Sequence, residues 1–132
     1  MPIYTITTAA GTLDSATKAD LAAEVTRIHS DVNHVPSTYV NVVFNELAPD
    51  NVYTDAKPTR PLIINGWVRS GHPDEETSRL VTEIAHAATQ VTGIPPERVL
   101  VVIGNSPARF AIEGGRVLPE PGQEQAWLLE GA

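Results

Sequence analysis

The strongest constraint on this chain is that it repeats itself. Residues Pro2 to Phe44 lie against Pro61 to Ile103 at an offset of 59 without a gap. Eight pairs are identical: Pro2/Pro61, Leu21/Leu80, Glu24/Glu83, Val32/Val91, Pro36/Pro95, Val40/Val99, Val42/Val101 and Val43/Val102. Chance supplies about three identities in such a window at average composition. Val35/Ile94 and Ile28/Ala87 differ but stay apolar. Any two units of the same type share a rough period, but the ungapped fit and the proline at both starts argue for an internal duplication.

Each copy reads as β-α-β. Strand patterning covers Pro2 to Thr8, Thr38 to Leu47, Pro61 to Val68 and Arg98 to Gly104; the last is apolar enough for burial on both faces. Ser15 is placed to cap a helix whose Leu21, Val25, Ile28 and Val32 share one stripe. Asp74 is placed to cap a second, with Leu80, Ile84, Ala87 and Val91 at the same spacing and Glu75 and Glu76 at its positive end. Crossovers of this length make parallel strand pairs with right-handed connections. The expected fold is therefore α/β (α+β): tandem β-α-β units forming a four-stranded sheet with two helices on one face. One domain spans 1–132, with a first unit at 1–47, a linker at 48–60, a second unit at 61–104 and a C-terminal tail at 105–132. A helical turn near Pro107 to Ile112, a break at Gly114-Gly115 and a proline-rich run mark the tail. Few residues remain to cover the second face of the sheet, so an oligomer is expected, with the tail packing on a neighbour.

Composition narrows the function. Of 132 residues, 42% are apolar and 19% charged, a balance that folds rather than stays disordered. No run approaches the roughly 18 apolar residues of a membrane helix, and the start lacks a signal peptide's basic and apolar regions. Zero cysteines exclude disulfides, thiolate chemistry and cysteine zinc sites. A net charge of −7 has the wrong sign for nucleic acid. His34 and His86 have no second ligand at metal spacing, and no phosphate or dinucleotide loop is present, so neither metal nor cofactor is expected. The expectation is a soluble, cytoplasmic protein acting on small molecules or another protein.

Pro2 is the most informative residue. A strand-initial proline is structurally ordinary. Removal of an initiator methionine before it, however, unmasks a secondary amine, and a desolvated amine beside a cation has a lowered pKa and can act as a base near neutral pH.

The proline-initiated β-α-β units resemble the tautomerase superfamily, and the fused double-length chain resembles its cis-3-chloroacrylic acid dehalogenase group. Besides Pro2, the matching pieces are Ile28-His29, Gly66-Trp67-Val68-Arg69, Ser106-Pro107-Ala108, Ile112-Glu113 and the following Gly115-Arg116, Leu118-Pro119 and Pro121-Gly122. The resemblance implies Pro2 as catalytic base or acid, His29 and Arg69 as ligands of the substrate carboxylate or oxygen, and Glu113 as the acidic assistant. It also implies a trimer. Two positions depart from that pattern. The second loop arginine is His72, a substrate-binding candidate that cannot form a bidentate fork. A water-activating tyrosine is replaced by Val102. Moving a proton between carbon and oxygen needs only an amine and an anion site, whereas hydrolysis also needs a positioned water. The expected function is a cofactor-independent tautomerase of a small anionic 2-oxo or enol carboxylate, such as an arylenolpyruvate, with weak or no dehalogenase activity. The alternatives are a cis-3-haloacrylate dehalogenase or hydratase, and a non-catalytic oligomeric binding protein.

Overall fold

A computed structural model describes residues 1–131. Four strands form the main sheet: β1 (Ile3–Ala9), β2 (Asn41–Leu47), β5 (Leu62–Arg69) and β6 (Val99–Ser106), in the order β2-β1-β5-β6. Helices α1 (Ser15–Asn33) and α2 (Asp74–Thr92) make the two crossovers. Each β-α-β pair is parallel, and the units join antiparallel at β1 and β5. There Thr5 faces Asn65 and Ile6 faces Ile64, so the offset of 59 carries each pair onto the other. That register defines a local two-fold axis through the centre of the sheet.

The duplication extends beyond the aligned identities. The stretch expected as a linker contains a 3-10 turn (Pro49–Asn51) and a hairpin of β3 (Tyr53–Thr54) and β4 (Lys57–Pro58). Fifty-nine residues later stand the turn Ala108–Phe110 and the hairpin of β7 (Ile112–Glu113) and β8 (Arg116–Val117). Both hairpin tips are left-handed, with φ 53° and 58° at Asp55 and Ala56 and 62° and 79° at Gly114 and Gly115. Two successive positive φ values match the right-handed twist of a tight hairpin. Side-chain identity at 48–60 hides this equivalence; backbone geometry reveals it.

The helix starts fall one residue before the expected caps. Asp14, not Ser15, caps α1 through its carboxylate on the Thr17 amide at 2.8 Å. Asp74 is the first helical residue of α2, after Pro73, and no side chain caps that end. His34 and Gly93, again 59 apart, end the helices in the left-handed conformation. His34 is thus a helix terminus.

The core lies between the helices and one sheet face, around Tyr4, Ile6, Leu21, Val25, Ile28, Leu62, Ile64, Leu80 and Ile84. Gly66 stands opposite Tyr4, and a Cβ there would lie 2.7 Å from the tyrosine ring. The absence of that carbon lets Tyr4 lie flat across β5 and reach α1. The outer sheet face carries Ile3, Val43, Leu100 and Val102, each about half exposed. In the single chain β6 is therefore buried on one face, not both, because α1 and α2 both pack on the inner side. The tail packs on its own chain: α3 (Glu124–Glu130) sets Trp127 into a second cluster with Met1, Val35, Ala108 and Leu118. Among the described residues, no helix is long and apolar enough to cross a membrane.

Candidate active site

The start of β1 and the end of β5 are antiparallel neighbours, so the chain's first residues emerge beside Trp67, Val68 and Arg69. Hairpin β7–β8 lies against the same end and supplies Glu113. The Met1 amine is 3.0 Å from Glu113 Oε1 and donates to the Tyr39 carbonyl. Pro2 is fully buried behind it. The methionine side chain, 3% exposed, fills an apolar recess walled by Val35, Ala108, Leu118 and Trp127, with Tyr39 and Trp67 at its edge.

His29 projects from the last third of α1 beneath the sheet and is 1% exposed. Its Nδ1 is 2.7 Å from the Tyr4 hydroxyl. Burial raises the Tyr4 pKa far above its ordinary value, so the phenol stays protonated. A phenol is the better donor and a neutral imidazole the better acceptor, so Tyr4 donates to Nδ1 and the ring proton sits on Nε2. Burial, reinforced by the charges of the amino terminus, His72 and Arg69, pulls the His29 pKa down to about 3. Burial likewise lowers the amino terminus, opposed by Glu113 and reinforced by Arg69.

Arg69 is 2% exposed and engaged through two of its five donors: Nη1 donates to the Pro119 carbonyl at 2.5 Å and Nη2 to Glu124 Oε1 at 2.7 Å. Burial favours a neutral Glu124, but the Arg69 hydrogen bond, backbone amides and the Arg69 charge hold its carboxyl below the usual range. His72, at the α2 entrance, meets Glu76 Oε2 at 3.1 Å. Arg116 lies 3.9 Å over the Trp127 ring and donates to the Trp127 carbonyl. Trp67 donates to Ser106 at 2.7 Å.

The candidates Pro2, His29, Arg69, His72 and Glu113 therefore cluster at one end of the sheet, although they come from four separate segments. Val102 does not join them in the same chain, since it lies on the outer face at 49% exposure. Tyr4, Tyr39, Glu124 and Trp127 were not anticipated. Tyr4 had a legible signal, because its ring stands opposite a glycine. Glu124 had none, because its role depends on how the tail folds back. Among the described residues, no group of three or more histidine or acidic side chains is arranged to hold a metal ion.

Comparison with known proteins identifies the family and the fold. A family model described as "Putative oxalocrotonate tautomerase enzyme" matches residues 1–131. The chain belongs to that tautomerase family. A solved member of the cis-3-chloroacrylic acid dehalogenase (cis-CaaD) family superposes with a TM-score of 0.93 at 29% identity, covering 96% of this chain and 90% of that one. The protein solved as native Ps01740 gives 0.82 at 32% identity, over 84% of this chain and 99% of that one. A native fused 4-OT gives 0.80 at 23% identity, over 87% and 94%, which speaks for the fold alone. No curated protein matches the chain in sequence.

Proposed function

We propose that this protein is a cofactor-independent tautomerase of a small 2-oxo or enol carboxylate, such as an arylenolpyruvate, and that Pro2 carries the proton. The observation that supports this most is the convergence of the chain's amino end, Glu113, His29, His72 and Arg69 in one largely buried cluster. With Met1 removed, the Pro2 nitrogen becomes a secondary amine at the place where burial lowers the basicity of the Met1 amine, and an unprotonated amine can act as a base. The amine takes the proton from the enol oxygen on C2 and delivers it to C3, while the C2–C3 double bond gives way to the C2 carbonyl, so bonds and protons balance without an external reagent. Arg69 and His29 Nε2–H hold the carboxylate and the oxygen, His72 contributes at the loop, and Glu113 orients the amine. Removal of Met1 also empties the recess its side chain fills, leaving an apolar, tryptophan-walled space of the kind an aryl group occupies.

Haloacrylate hydrolysis is expected to be weak. Val102 offers no hydroxyl to a water, and His72 lacks an arginine's fork. We place the active form in a homotrimer in the cytoplasm. The apolar outer face needs cover, fused 4-OT relatives have been solved as trimers, and a chain without cysteine needs no oxidising compartment. A non-catalytic binding protein is the competing reading, favoured by one feature: Glu124 already occupies Arg69. Ultraviolet detection of arylenolpyruvate ketonisation separates the two. The tautomerase reading expects turnover that falls about 100-fold or more in Pro2→Ala. Unchanged turnover in that variant, or none in protein verified to begin at Pro2, overturns it.

A further inference from the structure

The local two-fold carries the candidate active site onto a second place, at the opposite end of β1 and β5. There Pro61 stands for Pro2, Arg60 for Met1, Thr54 for Glu113, Ala88 for His29 and Arg98 for Tyr39. The counterpart has lost what proton transfer requires. Its proline nitrogen is an internal amide, its acid is a threonine and its imidazole is a methyl group. What it has gained is positive charge.

A cavity of about 730 Å³ opens at this place, lined by Tyr53, Arg60, Pro61, Ile63, Arg98 and Leu100, among others. Small-ligand sites fall in the range of about 300–1,000 Å³ and combine apolar walls with a few charged groups. In the single chain Tyr53 and Leu100 are more than half exposed, and a neighbouring subunit that covered Leu100 with the rest of the outer sheet face would close this side of the cavity. Arg98 Nη2 donates to the Arg60 carbonyl at 2.7 Å, tying the two residues together. Arg60 Nη1 reaches only the Ala10 carbonyl and Thr12 Oγ1, both at 3.4 Å. Among the described residues, neither guanidinium has a carboxylate within 4.0 Å. Yet the chain has 16 acidic side chains against nine basic ones. Glu97 is the one acid in the lining, so the cavity stays net positive on a strongly negative protein. Two guanidiniums without acidic partners above apolar and phenolic walls fit one chemistry: a carboxylate on a flat apolar body.

We propose that this cavity is a second, non-catalytic binding site for small aromatic carboxylates, built on the duplicate of the first site by arginines that the first site does not have. The parallel with the substrate of the first site rests on the proposed function; the cavity's charge and shape do not. Calorimetric titration with phenylacetate, which has no 2-oxo group to tautomerise, tests it. Wild-type protein should take up phenylacetate at a site that Arg60→Gln/Arg98→Gln weakens at least about tenfold. Benzylamine, with the charge reversed, should not bind there. Ketonisation by the double variant, its melting temperature and its subunit count should match wild type. Absence of phenylacetate binding, binding unaffected by the double substitution, or a changed subunit count overturns the proposal; the last result would make this face a contact between copies. If turnover is absent but binding dependent on Arg60 and Arg98 persists, the tautomerase reading fails and this one stands.

Discussion

Acidification should destabilise this protein in large part through His29. In the folded chain its pKa is pulled from 6.5 down to about 3 by burial and by neighbouring positive charges. Folding therefore keeps His29 neutral where the unfolded chain protonates it. The associated stability is fully present above the unfolded value of 6.5, and is lost as pH falls from there toward about 3. The slope over that window is about 1.36 kcal/mol per pH unit, so lowering the pH from 7.5 to 5 should cost about 2 kcal/mol through this group alone. Other groups also titrate, so the comparison is with His29→Asn, whose amide oxygen can still accept from Tyr4. Urea unfolding of both proteins at pH 7.5 and 5, at one fixed protein concentration, reads the difference. His29→Asn should be the less stable protein at pH 7.5, and the gap should shrink by about 2 kcal/mol at pH 5. A gap that stays constant would show that the histidine is not held neutral, and would refute the buried Tyr4–His29 pair.

Glu124→Gln should lower stability by about 2 kcal/mol, since Arg69 is left buried without a charged partner, and should flatten the acid limb. Glu124 is held ionised by Arg69, so its contribution is present above its unfolded pKa and disappears as pH falls through the lower folded value. If Arg69 also binds the substrate carboxylate, the same variant should lower KM while leaving kcat close to wild type, as steady-state kinetics would reveal. Gly66→Ala should force Tyr4 off β5 at a cost of about 1–3 kcal/mol and disturb its bond to His29. Urea unfolding and the near-ultraviolet tyrosine signal would measure it, and an unperturbed protein would mean that the ring has another place to go.

Much of this architecture was readable before the structure. Leu21, Val25, Ile28 and Val32 face the sheet as their spacing requires, and the prolines at 2 and 61 open equivalent strands. What stayed hidden has a physical reason in each case. The hairpins at 53–58 and 112–117 are equivalent through their left-handed tips, but one uses Asp-Ala and the other Gly-Gly, so identity does not match them. The tail folds on its own chain because Trp127 fills the cluster around Met1 while Glu124 reaches Arg69, contacts between segments about 55 or more residues apart. A local sequence window carries no record of either. Pro2 stood out from its position after the initiator methionine, whereas His29, Arg69, His72 and Glu113 could be named because a resemblance supplied them. Their convergence depended on the antiparallel register of β1 and β5, which no periodicity specifies.

The account rests on the Pro2 amine, and one measurement addresses it most directly. Protein preparations with different proportions of chains beginning at Met1 and at Pro2, quantified by intact mass, should be assayed for arylenolpyruvate ketonisation. A chain that keeps Met1 holds Pro2 as an amide without basicity and has the methionine side chain in the recess, so activity should rise in proportion to the fraction beginning at Pro2 and extrapolate to near zero without it. Equal turnover from fully Met1-retaining protein would contradict the central claim.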